Sequence, residues 1–525
     1  MPRILVAAPR ADRITALRLQ LPESRHDGMR RQLHQLAASS PQRTQHVDIL
    51  YDTPTQSLAR KGLRLVLTRG ATGWLQVVTR RQVTASSLVT TPSWECAYAN
   101  RFDFSHIDDD DVRATLERPK RLRALVPIAE ANFRRQSWTL GKGAHAIEAH
   151  LDRGWLAAAG RRAQISELSL RLVDGDIDGL FDIAERLGER VPLLPEPASK
   201  AQRGALLYIG TAMAPTKAGA VRLALDDDPR EAFRTIALDC LAHLHANHTG
   251  ATTTSDPEYI HQMRVATRRL RAAMRMFRPV LPGDFTAVLM EPLRELMTVL
   301  GRTRDLDVLI AEIIRPVADA LPGEPRMADM LAVVTDRLYS ARQEAVAFLA
   351  GPRYARLHMT AARLLHGDGF QPPPLVADAE PPPTLATFAD RRLRKMQSTV
   401  EQLAEHARAD DPTSLHALRI AIKRLRYAIE FFGALLPGDA GARVVRRLAT
   451  LQDELGQLND LANAGAILMA CAAEDRDLRE AVTLIAGWHG TRHAALLEAI
   501  PGHLGEARKL RLPRVARARR GEATD

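Results

Sequence analysis

The spacing of apolar residues changes character once along the chain. Up to about residue 213 it alternates or clusters in short β-branched runs: HVDILYD at 46–52, LRLVLTR at 63–69, WLQVVTR at 74–80, HAIEAHLD at 145–152 and AQISELSLRL at 163–172. Alternation with period two puts apolar side chains on one face of an extended segment, so these runs predict half-buried antiparallel strands. IDGLFDIAERLGER at 177–190 and SKAQRGALLYIG at 199–210 carry helical spacing instead. From Asp228, which can cap a helix with Pro229 at its first position, the spacing stays helical almost to the C-terminus. The pattern predicts an α+β multidomain chain with a β-rich domain over 1–213, a linker over 214–228 and an all-α domain over 229–505. QPPP at 371–374 and EPPP at 380–383 mark a semi-rigid connection over 369–383, between helical halves 229–368 and 384–505. Residues 506–525 read as a frayed basic tail.

The two helical halves repeat each other. Asp256-Pro257, His261, the LPGD beginning at 281 and the Gly-x-x-Arg-Asp-Leu beginning at 301 recur as Asp411-Pro412, His416, LPGD at 436 and GQLNDL at 456, every pair 155 residues apart. Four landmarks in one register make each half a copy of one helical unit, started by an Asp cap with proline and stopped by Pro-Gly.

Inside each copy lies a basic helix. HQMRVATRRLRAAMRMFRPVLPGD holds Arg264, Arg268, Arg269, Arg271, Arg275 and Arg278 before its first acid, Asp284. At about 100° per residue, His261, Arg264, Arg268, Arg271 and Arg275 fall within an arc of roughly 80°. His416, Arg419, Lys423 and Arg426 share the equivalent arc in the second copy, with Met263, Ala266, Leu270, Phe277 and Leu418, Ala421, Leu425, Phe432 on the opposite stripes. Like charges one turn apart repel. The offset is either internal, with Asp305 and Asp460 pairing to Arg264 and Arg419 across helix hairpins, or a bound polyanion, whose phosphates suit the planar guanidinium fork. Arg269 and Arg424 lie off the main face.

Composition sharpens this picture only in part. The 525 residues carry 73 Lys and Arg against 62 Asp and Glu, a net charge of +11, which favours an anionic partner without choosing one. Phe277, Phe432 and Tyr427 point away from the basic faces, so bases have no stacking platform and nucleic acid is disfavoured. Cys96, Cys240 and Cys471 form no metal spacing, and their odd number and wide separation fit a reducing interior, which makes the cytoplasm the expected location. The apolar run in MPRILVAAPRADR is too short for a signal peptide and AGAILMACAA at 464–473 too short for a membrane span, so no membrane partner is expected. His243, His245 and His248 do not share a helix face, Asp108 to Asp111 read as a solvated acidic loop, and no GxxxxGK[ST] loop occurs.

The motif His-x-x-Arg-x-x-x-[Arg/Lys]-Arg-Leu-Arg, repeated and followed by Gly-x-x-[Arg/Asn]-Asp, resembles the CHAD domain, the conserved histidine α-helical domain, over roughly residues 229 to 505. The resemblance implies two pseudo-symmetric antiparallel four-helix bundles, a basic surface for inorganic polyphosphate, and association with polyphosphate granules. Carried over by position, the contacts would be His261, Arg264, Arg268, Arg271, Arg275, His416, Arg419, Lys423 and Arg426. A homodimer is left open.

The first 213 residues resemble a CYTH domain, the triphosphate tunnel metalloenzyme fold, which implies an antiparallel β tunnel. LYDTPTQSLARKGLRL, Trp74 with Gln76, Arg135 with Trp138, Glu148 with Asp152-Arg153-Gly154, Ser166-Glu167-Leu168 and Ser199-Lys200-Ala201 with Arg203-Gly204 come in family order. That family's chemistry needs glutamates to hold a divalent metal and basic side chains to hold triphosphate. Here Ile14, Ala16 and Arg18 stand at its Glu-x-Glu-x-Lys, Val66 and Thr68 at paired basic positions, Thr79 at the lysine after the Gln, and Glu167, Ser169 and Arg171 at its later Glu-x-Glu-x-Glu. A degenerate tunnel is therefore expected, in which Arg18, Arg135, Arg171 and Lys200 hold an anion without cleaving it. Glu95, Glu148 and Glu167 are what remains for a metal. The resulting expectation is a non-catalytic polyphosphate binder without cofactor; the alternative is a triphosphatase using Mg²⁺ or Mn²⁺.

Overall fold

The computed structural model describes residues 12–37, 40–70, 73–80, 88–141, 146–210, 214–367, 370 and 383–515. The chain forms two compact units, Met1–Ala214 with Ala350–Phe370 and Pro215–Leu349 with Gln371–Asp525. The Pro-rich segments at 371–382 lie outside the described residues.

The first unit is a closed antiparallel barrel. Its strands are β1 (Asp12–Gln20), β2 (Gln42–Asp52), β3 (Leu63–Gly70), β4 (Gly73–Arg80), β5 (Leu88–Ala97), β6 (Val126–Leu140), β7 (Ala146–Ala158) and β8 (Arg161–Asp174), with a two-residue β9 (Leu194–Pro195) beside β1. They run in the order β5-β4-β3-β2-β6-β7-β8-β1, and β1 closes the ring on β5 with Ala16 opposite Val89. Strand alternation decides which side is wet. Leu17, Leu19, Trp138, Ala149, Leu151, Leu168 and Leu170 point outward into a core with α1 (His26–Leu36) and α5 (Ile177–Gly188). The intervening positions, including Arg18, Glu167, Ser169 and Arg171, point into the barrel. An apolar outside and a charged inside make the barrel a tunnel rather than a filled core.

Three short helices, α2 (Ser57–Arg60), α3 (Asp110–Leu116) and α4 (Pro119–Leu122), follow the chain between strands, and α2 and α3 bury Leu58, Val112 and Leu116 against Leu63, Leu65, Val78 and Trp94. Helix α6 (Lys200–Ile209) starts with a capping box of Ser199 and Gln202. It sits close on the barrel because Gly204 has no side chain; a Cβ there would lie 2.8 Å from that of Ala129.

The second unit contains the repeat. Helices α7 (Pro229–Thr253), α8 (Pro257–Phe277), α9 (Phe285–Val308), α10 (Arg315–Ala320) after a π-helical turn, and α11 (Pro325–Leu349) form its first half. Asp228 and Asp256 cap α7 and α8 with proline at the first turn, as their sequence implied. Next in the chain, α12 (Pro352–His366) belongs to the first unit. The second half consists of α13 (Leu385–His406), α14 (Pro412–Phe431, capped by Asp411), α15 (Ala440–Ala472) and α16 (Arg476–Arg508). The starts of α8 and α14, and of α9 and α15, differ by the same 155 residues as the motifs. The halves share one core: Phe277 packs on Phe233 at 5.7 Å, on Phe388 at 5.0 Å and on Phe432 at 5.8 Å.

Two expectations of the domain plan change. Residues 350–370, expected in the first helical half, join the barrel unit because α12 buries Met359 and Ala362 with Leu180 and Phe181, and Arg363 pairs with Asp182 and Glu185, each at 2.8 Å. Residues 509–515, expected to fray, lie along α13: the Leu512 N–H donates to Gln397 Oε1 at 3.2 Å, Arg511 pairs with Glu401 at 2.9 Å, and Leu510 and Val515 are buried. Residues 516–525 lie outside the described residues.

Because Phe277 joins both halves, Phe277→Ala is expected to cost about 3–5 kcal/mol and to lower the unfolding of both halves together in one transition, read by denaturant melts with probes in each half. Loss confined to the first half would show that the halves fold separately.

Candidate functional site

Two clusters of charge stand out, one in each unit. In the helical unit α8 and α14 pack against each other and cations of their two basic arcs adjoin; the space between the arcs is called the cleft. Arg268 on α8 is close enough to Arg419 and Lys423 on α14 to act on both electrostatically. The two repeats thus contribute to a single site. Arg264 reaches Asp305 at 3.7 Å and Arg419 reaches Asp460 at 3.9 Å, the hairpin pairs the sequence suggested. Both distances exceed a good charged hydrogen bond, so the acids only partly offset the cations. Gly301 makes room for Arg264, since a Cβ there would stand 2.6 Å from Nη1.

The cleft is short of acceptors. The Nε atoms of Arg268, Arg271 and Arg419 are buried and have no protein hydrogen-bond partner, a state that costs free energy unless water or a ligand fills it. Arg426 Nε lies 3.3 Å from Glu430 Oε1, whereas Arg275 and His416 are exposed. Burial, then Arg419 and Arg268, push the Lys423 ammonium down to about 7. Burial lowers Arg264, Arg271 and Arg419 from the ordinary arginine value as well.

The histidines that head the two helices differ. His416 Nδ1 lies 3.1 Å from Asn459 Oδ1, whereas His261 faces Arg304, the residue equivalent to Asn459 in the first copy, and burial followed by Arg304 lowers its pKa. Arg304 on α9 belongs to the site, as does Arg294, which acts on Arg271 and Arg275. The sequence reading missed both because the arc of one helix does not reveal which neighbour leans over it. Arg269 is a core residue: its Nη1 pairs with Asp239 at 3.1 Å and its guanidinium lies over Phe431 at 5.3 Å. His243 contacts the Thr216 carbonyl at 2.9 Å and Gln262 at 3.0 Å, and His248 contacts the Leu349 carbonyl at 3.1 Å, so these two act in packing.

The tunnel of the first unit encloses about 390 Å³. Arg135 on β6 stands opposite Asp152 on β7 in the strand register and grips it with two hydrogen bonds of 2.8 Å. Lys200 donates to Asp152 at 2.8 Å and to Glu167 at 2.7 Å, and Arg203 bonds to Glu167 and lies 3.6 Å from Glu196. Despite burial, Lys200 and Arg135 hold the Asp152 carboxyl far below the usual carboxylate range. Burial, aided by the Asp152 carboxylate, pushes Asp48 up, and burial takes Glu196 to about 7. Of the four expected anion holders, Arg135 and Lys200 are thus engaged by carboxylates, Arg18 lines the cavity near Glu196, and Arg171 is half exposed, 3.9 Å from Glu148. Of the glutamates that remain for a divalent ion, Glu167 is bonded to Lys200 and Arg203, Glu95 lines the tunnel, and Glu148 lies 3.3 Å from His150 and 3.9 Å from Arg171. No three His, Cys, Asp or Glu side chains among the described residues converge on a metal site.

A charge-lined antiparallel tunnel followed by a twice-repeated helical unit with a shared cationic cleft is the architecture of a CYTH domain joined to a CHAD domain. The CYTH domain model matches residues 17–205 and the CHAD domain model residues 235–469. The chain belongs to the CHAD family. It covers 100% of the crystallised CHAD domain from the plant Ricinus communis at 32% identity, over 58% of its own length, with a TM-score of 0.50. An uncharacterized protein in two strains of Mycobacterium tuberculosis is 31% identical over 189 residues, 33% of this chain and 34% of that protein. The inorganic triphosphatase of Haemophilus influenzae is 35% identical over 83 residues, 16% of this chain and 24% of that enzyme. The chain thus spans about a third of the length of the first curated relatives it matches. Among the described residues no helix is long and apolar enough to cross a membrane.

Asp152→Ala would strand Arg135 in the tunnel wall, leave Lys200 with Glu167 alone, and is expected to destabilise the barrel unit by about 3–5 kcal/mol in urea melts. A change below about 1 kcal/mol would mean that the tunnel pairs are solvated.

Proposed function

We propose that the protein binds inorganic polyphosphate in the helical cleft and does not hydrolyse it. The observation that supports this reading is the proximity of Arg264, Arg268 and Arg271 to Arg419, Lys423 and Arg426, where the buried Nε–H groups of Arg268, Arg271 and Arg419 lack protein acceptors. A chain of phosphates supplies acceptors at a spacing of a few ångströms along a flexible backbone, and needs no groove of fixed shape or stacking surface. His261, Arg275 and His416 lie toward the rim and extend the contact. The tunnel contributes no hydrolysis in this reading because its carboxylates neutralise its own cations. A protein of this kind would sit in the cytoplasm on polyphosphate granules.

The likeness to the Haemophilus influenzae inorganic triphosphatase favours a second reading, metal-dependent triphosphate hydrolysis in the tunnel. Phosphate release from tripolyphosphate that requires Mg²⁺ or Mn²⁺ and is lost in Glu167→Gln would establish it, and no release above background would sustain the binding reading.

Changing Arg264, Arg268, Arg419 and Lys423 together to alanine is expected to weaken binding of long-chain polyphosphate by about a hundredfold or more at physiological salt, with the circular dichroism melt retained. Unchanged affinity would remove the cleft as the site.

Lys423 sets the pH dependence. An anion favours its ammonium form, so binding takes up a proton, and raising the pH through about 7 deprotonates free Lys423 and weakens capture. Affinity is expected to fall by about three- to tenfold between about pH 6 and about pH 9 in wild type, and to stay nearly flat in Lys423→Arg, whose charge does not titrate. Equal slopes in the two proteins would overturn the role of Lys423.

A further inference from the structure

Outside the barrel, between α1 and the outer faces of β2, β6 and β7, lies a groove of about 730 Å³ that the tunnel and cleft readings leave unused. Arg134 on β6 and Arg153 on β7 stand directly opposite in the strand register, both pointing outward. Like charges at that spacing destabilise a sheet unless something offsets them. Glu23 offsets one, bonding Arg153 at 2.7 and 3.1 Å. Arg134, and Arg43 on the neighbouring β2, pair with no acid among the described residues, and Arg30 of α1 reaches only Asp27, at 3.4 Å.

The groove also holds groups that a bare anion would not use. The Trp155 indole lies in its wall, with the Arg162 guanidinium over the ring at 4.9 Å. Gln136 Oε1 and His26 Nε2 are buried lining atoms without a protein hydrogen-bond partner. Burial, reinforced by Arg153, lowers the His26 pKa. Guanidiniums for phosphates and an indole for a planar ring make up a recognition set for one ligand class, and the volume suits a molecule of that size.

We infer that this external groove of the barrel unit binds a nucleoside polyphosphate such as ATP, with Arg43 and Arg134 on the phosphates and Trp155 on the base. The site is separate from the tunnel and from the helical cleft and does not depend on the polyphosphate reading.

The test uses the full chain carrying the four alanine substitutions of the cleft, so that phosphate binding by the helical unit does not contribute, and titrates ATP and inorganic tripolyphosphate by calorimetry. ATP should still bind. Adding Arg43→Ala and Arg134→Ala, both at exposed positions, should weaken ATP by about tenfold or more. Trp155→Ala should weaken ATP several-fold and leave tripolyphosphate unchanged, with a thermal melt confirming the fold. No ATP binding in the cleft variant, no effect of the arginine pair, or equal loss of ATP and tripolyphosphate in Trp155→Ala would each overturn the proposal.

Discussion

Guanidinium groups held one turn apart on a helix repel each other, and everything in the helical unit depends on how that repulsion is carried. Each adjacent pair costs a few tenths of a kcal/mol in an isolated helix. On the other side of α8 and α14, Met263, Ala266, Leu270, Phe277 and Leu418, Ala421, Leu425, Phe432 are buried, and each large apolar side chain contributes about 1.5–3 kcal/mol. Packing wins by a wide margin. The shared aromatic contacts around Phe277 lock the two helices side by side, so that their cations face one another instead of separating into solvent. The cleft is therefore imposed by the core beneath it.

The barrel unit handles the same problem in the opposite way. Its inward positions alternate with an apolar outer layer, so charge inside it has to be met by charge. Arg135, Lys200 and Arg203 are met by Asp152, Glu167 and Glu196. In the cleft, Asp305 and Asp460 stand farther from their arginines, at 3.7 and 3.9 Å. An external anion gains most where the charges are least closely paired.

Much of this was legible in the sequence where a single element carries the information. The 155-residue register, the Asp-Pro helix starts and the basic arcs are properties of one helix or of its copy, and they reappear at Pro257 and Pro412. The hairpin acids were legible for the same reason, through their repetition. What was not legible lies between elements. Arg294 and Arg304 join the cleft because α9 leans over α8. Arg135 meets Asp152 through a strand register that no local pattern specifies. Strands β5 and β6 escaped notice because Pro92 and the polar run of EANFRRQ blur their alternation, and α12 carries an ordinary amphipathic pattern that does not say which core it enters.

The placement of α12 bears on how the molecule is made. The barrel unit is discontinuous in the chain: its outer core closes only when Met359 and Ala362 arrive, after the whole first helical half has been synthesised. On a ribosome adding about 5–20 residues per second, a barrel that ends at residue 214 must wait through more than a hundred further residues for its last helix. During that interval the faces of α5 and β9 that α12 covers stand open while α7, α8 and α9 emerge. A cut at residue 214 therefore parts the barrel unit from one of its own helices.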